Sequence, residues 1–201
     1  MEDKKRLLDI VSLIDKNKKV IDIGTDHGLV PLYLAKNKLS TDITATDISK
    51  HSLQKLVDKL DDDLSKIIKT KVTDGFKGLE SEDGQVAIIA GMGANTIIEI
   101  IEGSLDFAKN LDYMILASNV NTYELRNFLN DHSFYIEKDF LSYENRKYYD
   151  ILKVYYGKNQ DLDFEEYYYG LTDIENKSTL LREKLAIDKE KNQGFLEEIK
   201  E

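Results

Sequence analysis

Between Asp22 and Gly28 the chain gathers two carboxylates, an imidazole and two glycines, at Asp22, Gly24, Asp26, His27 and Gly28. A carboxylate can hold a cation or stabilise positive charge that develops during a reaction, and an imidazole can hold or move a proton near neutral pH. A glycine lets a ligand lie directly against backbone. Residues of the same character return at Asp47, at Asp74-Gly75 and at Gly91-Met92-Gly93. Apolar runs lead into them, Val20-Ile21 before Asp22 and Val86 to Ala90 before Gly91. Reactive groups at the ends of buried strands are where open α/β sheets bind ligands.

Periodicity predicts the elements that must position these groups. Leu7, Leu8, Ile10, Val11 and Ile14 have helical spacing and should lie across the sheet edge or the pocket. Strands are predicted at 20–23, 42–46, 67–73, 85–90 and 113–117. Helices are predicted from Pro31, whose missing N–H costs nothing in a first turn, to about Lys36, from a Ser49 cap to about Leu60, from Ala94 to Ile101 and from Thr122 to Asn130. Phe134 to Ser142 and Lys147 to Tyr156 read as an antiparallel hairpin joined by Tyr143-Glu144-Asn145-Arg146. The alternation gives an α/β fold, a mostly parallel seven-stranded sheet with an antiparallel C-terminal hairpin, over residues 1–157. Residues 158–201 form a small helical extension. Its apolar positions Ile174, Leu181, Leu185, Phe195 and Ile199 are interrupted by Ser178, Asp188 and Asn192, which predicts a weak helical hairpin or one packed helix rather than a coiled coil.

Composition narrows the function. The 201 residues, 41% of them hydrophobic, suffice for one packed domain and an appendage. The absence of cysteine excludes disulfides, thiolate zinc sites and cysteine nucleophiles, and suits a reducing interior. Met1 to Lys5 lacks an apolar signal core and no stretch approaches membrane-spanning length, so a cytoplasmic protein with no membrane partner is expected; a monomer with no metal is expected as well. A net charge of -10 argues against a protein that coats nucleic acid, DNA included, but leaves room for a local basic patch.

Each strand end has a distinct task if the ligand is S-adenosylmethionine. Gly24 lets the methionine moiety approach, Asp47 takes the ribose hydroxyls as an acid does in dinucleotide sites, and Asp74 accepts from the adenine amino group. Gly91 and Gly93 leave room at the transferable methyl. A nicotinamide dinucleotide needs a G-x-G-x-x-G turn for its pyrophosphate, whereas this turn carries only Gly24 and Gly28 with Asp26 and His27 between them. A carboxylate there repels a diphosphate and tolerates a sulfonium cation.

These segments resemble the TrmK family of bacterial tRNA adenine-N1 methyltransferases. Asp22-Ile23-Gly24-Thr25-Asp26-His27 with Val30-Pro31-Leu32-Tyr33-Leu34 is similar to that family's D-I-G-[ST]-D-H and L-P-x-Y-L, and Asp74-Gly75 to its G-D-G turn. Ile89-Ala90-Gly91-Met92-Gly93 is similar to its I-A-G-M-G, and Lys147 to Leu152 to its K-x-Y-E-[IV]-L strand. The resemblance covers about residues 5 to 156. Asp47 stands where the family carries Glu, Leu116-Ala117-Ser118-Asn119 replaces its L-Q-P-N, and the segment after Gly157 is shorter than its coiled-coil extension.

The resemblance implies a Rossmann-like class I methyltransferase that uses S-adenosylmethionine to modify N1 of adenine 22 in tRNA. Its implied cofactor site is Asp22, Gly24, His27, Asp47, Ile48, Asp74, Gly75, Ala90, Gly91 and Met92. The loop Ala90-Gly91-Met92-Gly93 has no side-chain acceptor for an exocyclic amine, which fits attack through N1. That attack makes the base cationic, and Asp26, left free at the rim, is the candidate catalytic residue. His27 positions the base, holds the cofactor carboxylate, or closes the turn by a structural bond. Asn119 touches the flipped base or caps the next helix. For the RNA path, residues 1–19 hold six bases (Lys4, Lys5, Arg6, Lys16, Lys18, Lys19) against four acids, and Arg126, Arg146, Lys147, Lys177, Arg182, Lys184 and Lys189 are alternatives. A methyltransferase of a small molecule or protein, and a non-catalytic module that binds cofactor or RNA, are the competing readings.

Overall fold

The computed structural model describes residues 4–198, with side chains through residue 193. Seven strands form one sheet: β1 (Val20–Ile23), β2 (Ile43–Asp47), β3 (Ile68–Val72), β4 (Val86–Met92), β5 (Tyr113–Ser118), β6 (Phe134–Glu144) and β7 (Lys147–Tyr156). Their order is β3-β2-β1-β4-β5-β7-β6, parallel except where β7 runs against both β5 and β6. The expected Rossmann-like sheet and hairpin are present. All residues of β1 and β5 are buried, which explains their unbroken apolar sequences: helices cover both sheet faces, and each face has its own apolar cluster.

Register places the reactive ends side by side. Ile23 pairs with Thr46 of β2 and Ile89 of β4, so the residues that follow β1, β2 and β4 leave the same edge of the sheet. The β4–β5 ladder breaks between Ala90 and Met92, and Gly91 takes φ +81 there. Strand β4 therefore runs through Gly91 to Met92 instead of ending at Ala90, with the irregularity facing the ligand edge.

The helices are α1 (Lys5–Ser12), α2 (Leu29–Lys36), α3 (Lys50–Val57), α4 (Leu64–Ile67), α5 (Ala94–Glu102), α6 (Leu105–Asn110), α7 (Thr122–Asp131), α8 (Phe164–Tyr169), α9 (Leu171–Glu175) and α10 (Thr179–Glu198). The Ser49 side chain accepts from the Ser52 N–H, as its expected capping role requires. The short α4, α6 and α8 were not predicted, because one or two turns carry too few positions to show a period. The signal for α8 lies in its cap: Asp163 and Glu166 form a reciprocal capping box. The stretch read as a helical hairpin or one helix is divided: Ile174 lies on α9 and Leu181 and Leu185 on α10, with Asn176-Lys177-Ser178 between them and Lys177 at φ 51. Leu181 is buried, Ile174 and Leu185 are half-buried, and the side chain of Phe195 and all of Ile199 lie outside the described residues. The β6–β7 connection is two residues, Asn145-Arg146, rather than four. Both have positive φ, 51° and 61°, as a tight turn matching strand twist demands.

Arg126 requires a correction. It was a candidate RNA contact, yet it is 1% exposed. Its Nε and one terminal nitrogen donate to the two Asp139 oxygens at 2.7 and 3.0 Å, and that nitrogen also donates to Asp150 at 2.6 Å. The other terminal nitrogen donates to the Tyr167 carbonyl at 3.0 Å, so one guanidinium joins α7, β6, β7 and α8. Helix α1 meets the sheet through buried Ile10 and Val11 and contacts β6, β7 and α2. Among the described residues no helix is long and apolar enough to cross a membrane.

Candidate active site

The turn from β1 to α2 builds the centre of the site. Gly24 (φ +74) and Gly28 (φ +67) adopt left-handed conformations, and Asp26 does so at φ 36. The Gly24 and Thr25 N–H groups both donate to the Thr46 carbonyl, at 2.9 and 2.8 Å, which fastens the turn to the end of β2. A Cβ on Gly24 would displace the terminal methyl of Met92, which can move, so the positive φ is what favours glycine there. Pro31 cannot bond the His27 carbonyl, and the Lys59 ammonium donates to that carbonyl instead at 2.9 Å.

Asp47 organises the opposite wall. One oxygen accepts from the Ser49 N–H at 2.7 Å and the other from the Asp26 N–H at 3.3 Å, so the residue that ends β2 also holds the β1 turn. Two cavities flank this junction and share Gly24. The first, about 440 Å³, is lined by Gly24, Asp47, Ile48, Asp74, Gly75 and Met92, with Thr96, Glu99 and Ile100 of α5 beyond them. The second, about 320 Å³, is lined by Asp22, Gly24, Asp26, His27, Ala90 and Gly91, with Arg6, Leu7 and Ile10 of α1 and Leu29 of α2. Every residue of the expected cofactor set therefore lines one of two adjoining cavities. Among the described residues no cluster of potential metal ligands occurs.

Two expectations need adjustment. Asp26 is not free: its oxygens lie 3.3 Å from Lys55 Nζ and 3.3 Å from His27 Nε2, with its side chain 56% exposed. Asn119 does not cap α7, whose N-cap is Asn121 in a left-handed conformation without a side-chain bond. It lines a third cavity of about 200 Å³, with Tyr123, Tyr148, Tyr168 and Lys184. Lys18 and Lys19 pair with Asp112 and Asp42 around the entrance of β1, away from both central cavities. Sequence reasoning missed Thr25 and Lys77, and it named Arg6 as a possible RNA contact without placing it at the second cavity. The Thr25 hydroxyl donates to Asp22, a pairing that the three-residue spacing across the turn could have suggested. Lys77 pairs with Asp74 at 2.5 Å beside the first cavity.

Asp22 is the electrostatic anomaly. Burial pushes its pKa up to about 7, the Thr25 hydrogen bond opposes this, and the charge of Asp47 adds to it. The folded chain thus binds this proton more tightly than the unfolded chain does. Its contribution to stability is complete below the ordinary carboxylate range and is lost as pH rises toward 7. Asp22→Asn removes that loss. The variant should melt above the unsubstituted protein at pH 8 by a few degrees, with the gap narrower at pH 5 and closing only below the ordinary carboxylate range, as measured by thermal denaturation without ligand. A gap independent of pH would show that Asp22 is not the titrating group.

The chain matches the family model of the methyltransferase domain over residues 3–152. It is 32% identical over 155 residues to a Mycoplasma genitalium protein provisionally named tRNA methyltransferase MG248, covering 75% of this chain and 69% of that protein. It is 26% identical over 151 residues to the tRNA (adenine(22)-N(1))-methyltransferase of Bacillus subtilis, covering 74% of this chain and 63% of the other. The fold superposes with a TM-score of 0.90 on Streptococcus pneumoniae Sp1610, provisionally named a tRNA (m1A22) methyltransferase and solved in complex with S-adenosyl-L-methionine. Identity there is 27%, over 98% of this chain and 92% of that one.

Proposed function

Because the chain belongs to the methyltransferase-domain family, within its TrmK group, we propose that it methylates N1 of adenine 22 in tRNA with S-adenosylmethionine. The observation that carries the reading is the pair of cavities meeting at Gly24, one lined by Asp47 and Asp74 and the other by Asp22 and Asp26. The residues suit the cofactor. A buried carboxylate whose hydrogen-bonding side-chain partner is a single hydroxyl gains from a cationic α-ammonium, and Gly24 presents backbone without a side chain where the two cavities meet.

In this assignment Asp22 holds the ammonium, Asp47 the ribose hydroxyls and Asp74 the adenine amino group, with Ile48 and Gly75 against the adenine faces. Bound there, the cofactor supplies an electrophilic methyl group on a sulfonium sulfur. Asp26 faces the second cavity, where the positive charge arriving on the target base meets its carboxylate. His27 and Lys55 fix the orientation of that carboxylate. The N1 edge of an adenine in folded tRNA is reached after the base leaves its stack. An enzyme of this kind meets tRNA in the cytoplasm, and we assign it as a cytoplasmic monomer.

The test is transfer of labelled methyl from S-adenosylmethionine to tRNA lacking the modification, followed by digestion to nucleosides. Label in 1-methyladenosine at position 22 is expected. Unlabelled tRNA, with label in a protein or metabolite, would transfer the assignment to the competing enzyme reading. Tight cofactor binding with no product would leave a binding module. A second expectation concerns Asp47: Asp47→Ala should raise the Kd for S-adenosylmethionine about ten- to a hundredfold, since charge-assisted hydrogen bonds contribute about 1.5–3 kcal/mol. Calorimetric titration measures it, and an unchanged Kd would remove Asp47 from the ribose site.

A further inference from the structure

Building on the tRNA reading, we propose that the third cavity takes an unpaired base of the substrate RNA next to the base that is methylated. Its walls are Tyr123, Tyr148 and Tyr168, with Asn119 and Lys184 at the rim. The place fits. Ser118, the residue before Asn119, pairs with Met92 on one side and with Asp150 on the other. The Val120 carbonyl accepts from the Ala94 N–H at 3.3 Å, and a Cβ on Gly93 would come within 3.0 Å of the Val120 side chain. The aromatic cavity thus stands beside the β4 loop that borders the two central cavities.

Its surface suits a base ring. Tyr123 and Tyr168 stack at 5.2 Å with their planes 6° apart, Phe164 lies 4.7 Å from Tyr168, and Tyr143 lies 4.7 Å from Tyr148. Tyr168 is 45% exposed and Phe164 68%, so part of this aromatic surface faces solvent. Nucleobases released from their stack bind such surfaces regardless of identity. The Asn119 amide lines the cavity and offers both a donor and an acceptor to a base edge.

Charge separates base from backbone. Lys184 is held by Asp188 at 3.2 Å, Asp150 by Arg126 at 2.6 Å, and Glu124 accepts from the Tyr123 hydroxyl at 2.9 Å. Among the residues that line this cavity Lys184 is the one cation, and it is already paired. The occupant is therefore an uncharged ring bound by stacking, and its contribution to affinity is insensitive to salt.

The experiment uses the full chain and unmodified tRNA. Tyr168→Ala should raise the KM for tRNA about five- to a hundredfold. The kcat at saturating tRNA, the Kd for S-adenosylmethionine and the slope of log affinity against log salt should not change. Tyr168→Phe should restore the KM, and Asn119→Ala should raise it by a smaller factor. An unchanged KM in Tyr168→Ala overturns the proposal, as does a loss of affinity accompanied by a shallower salt slope, which marks a phosphate contact. The unsubstituted protein is measured first: if it fails to methylate tRNA, the tRNA reading fails, whereas normal methylation with an unaffected Tyr168→Ala rejects only the base site.

Discussion

Asp26→Asn should lower kcat for methyl transfer about 100- to 1000-fold, the loss typical when one preorganised charge-stabilising group is removed from a reaction centre. The Kd for S-adenosylmethionine should stay within about twofold. Asparagine keeps the size of the side chain and tolerates positive φ, so the turn at φ 36 survives. Its backbone N–H still reaches Asp47. Only the negative charge is removed. Because Lys55 and His27 both contact this carboxylate, part of its charge is already balanced, and its effect on the base depends on the second cavity excluding water. Single-turnover rates at saturating tRNA separate chemistry from binding. A rate within threefold of the unsubstituted enzyme would take Asp26 out of the mechanism.

The strand-end chemistry was legible because it depends on local grammar. Strands buried on both faces are written as apolar runs, and a run that stops at Asp or Gly announces the edge of the sheet. Asp22 and Gly91 were found in this way without knowledge of any contact, whereas Asp74 follows the largely exposed β3 and showed itself through its Asp-Gly turn. What stayed hidden depends on partners distant in sequence. Asp26 meets Lys55, 29 positions away, and nothing in either segment encodes that meeting. The division of the set into two cavities is equally invisible, since it arises where Gly24 passes between Asp47 and the β4 loop. Asn119 looked like a cap because it stands just before a helix, but the left-handed Asn121 starts that helix.

Arg126 shows the same limit in its strongest form, since a charged residue in Thr122–Asp131 reads as solvated until Asp139 and Asp150 close around it. Arg126→Met should destabilise the fold by about 3–5 kcal/mol, the cost of leaving buried charges without their partner. Methionine fills much of the space, so the loss reports charge more than cavity. Burial raises the Asp139 pKa even with Arg126 beside it, and without the guanidinium it will rise further. A proton on Asp139 relieves part of the damage, so the destabilisation should be largest at pH 8 and smaller at pH 5. Denaturant unfolding at both pH values measures this. Adding Asp139→Leu and Asp150→Asn to Arg126→Met should recover much of the stability, because an apolar replacement of a buried ion network need not be weaker than the network. If Arg126→Met cost less than about 1 kcal/mol at pH 8, the network would have to be open to water, and the junction of α7, β6, β7 and α8 would not depend on this guanidinium.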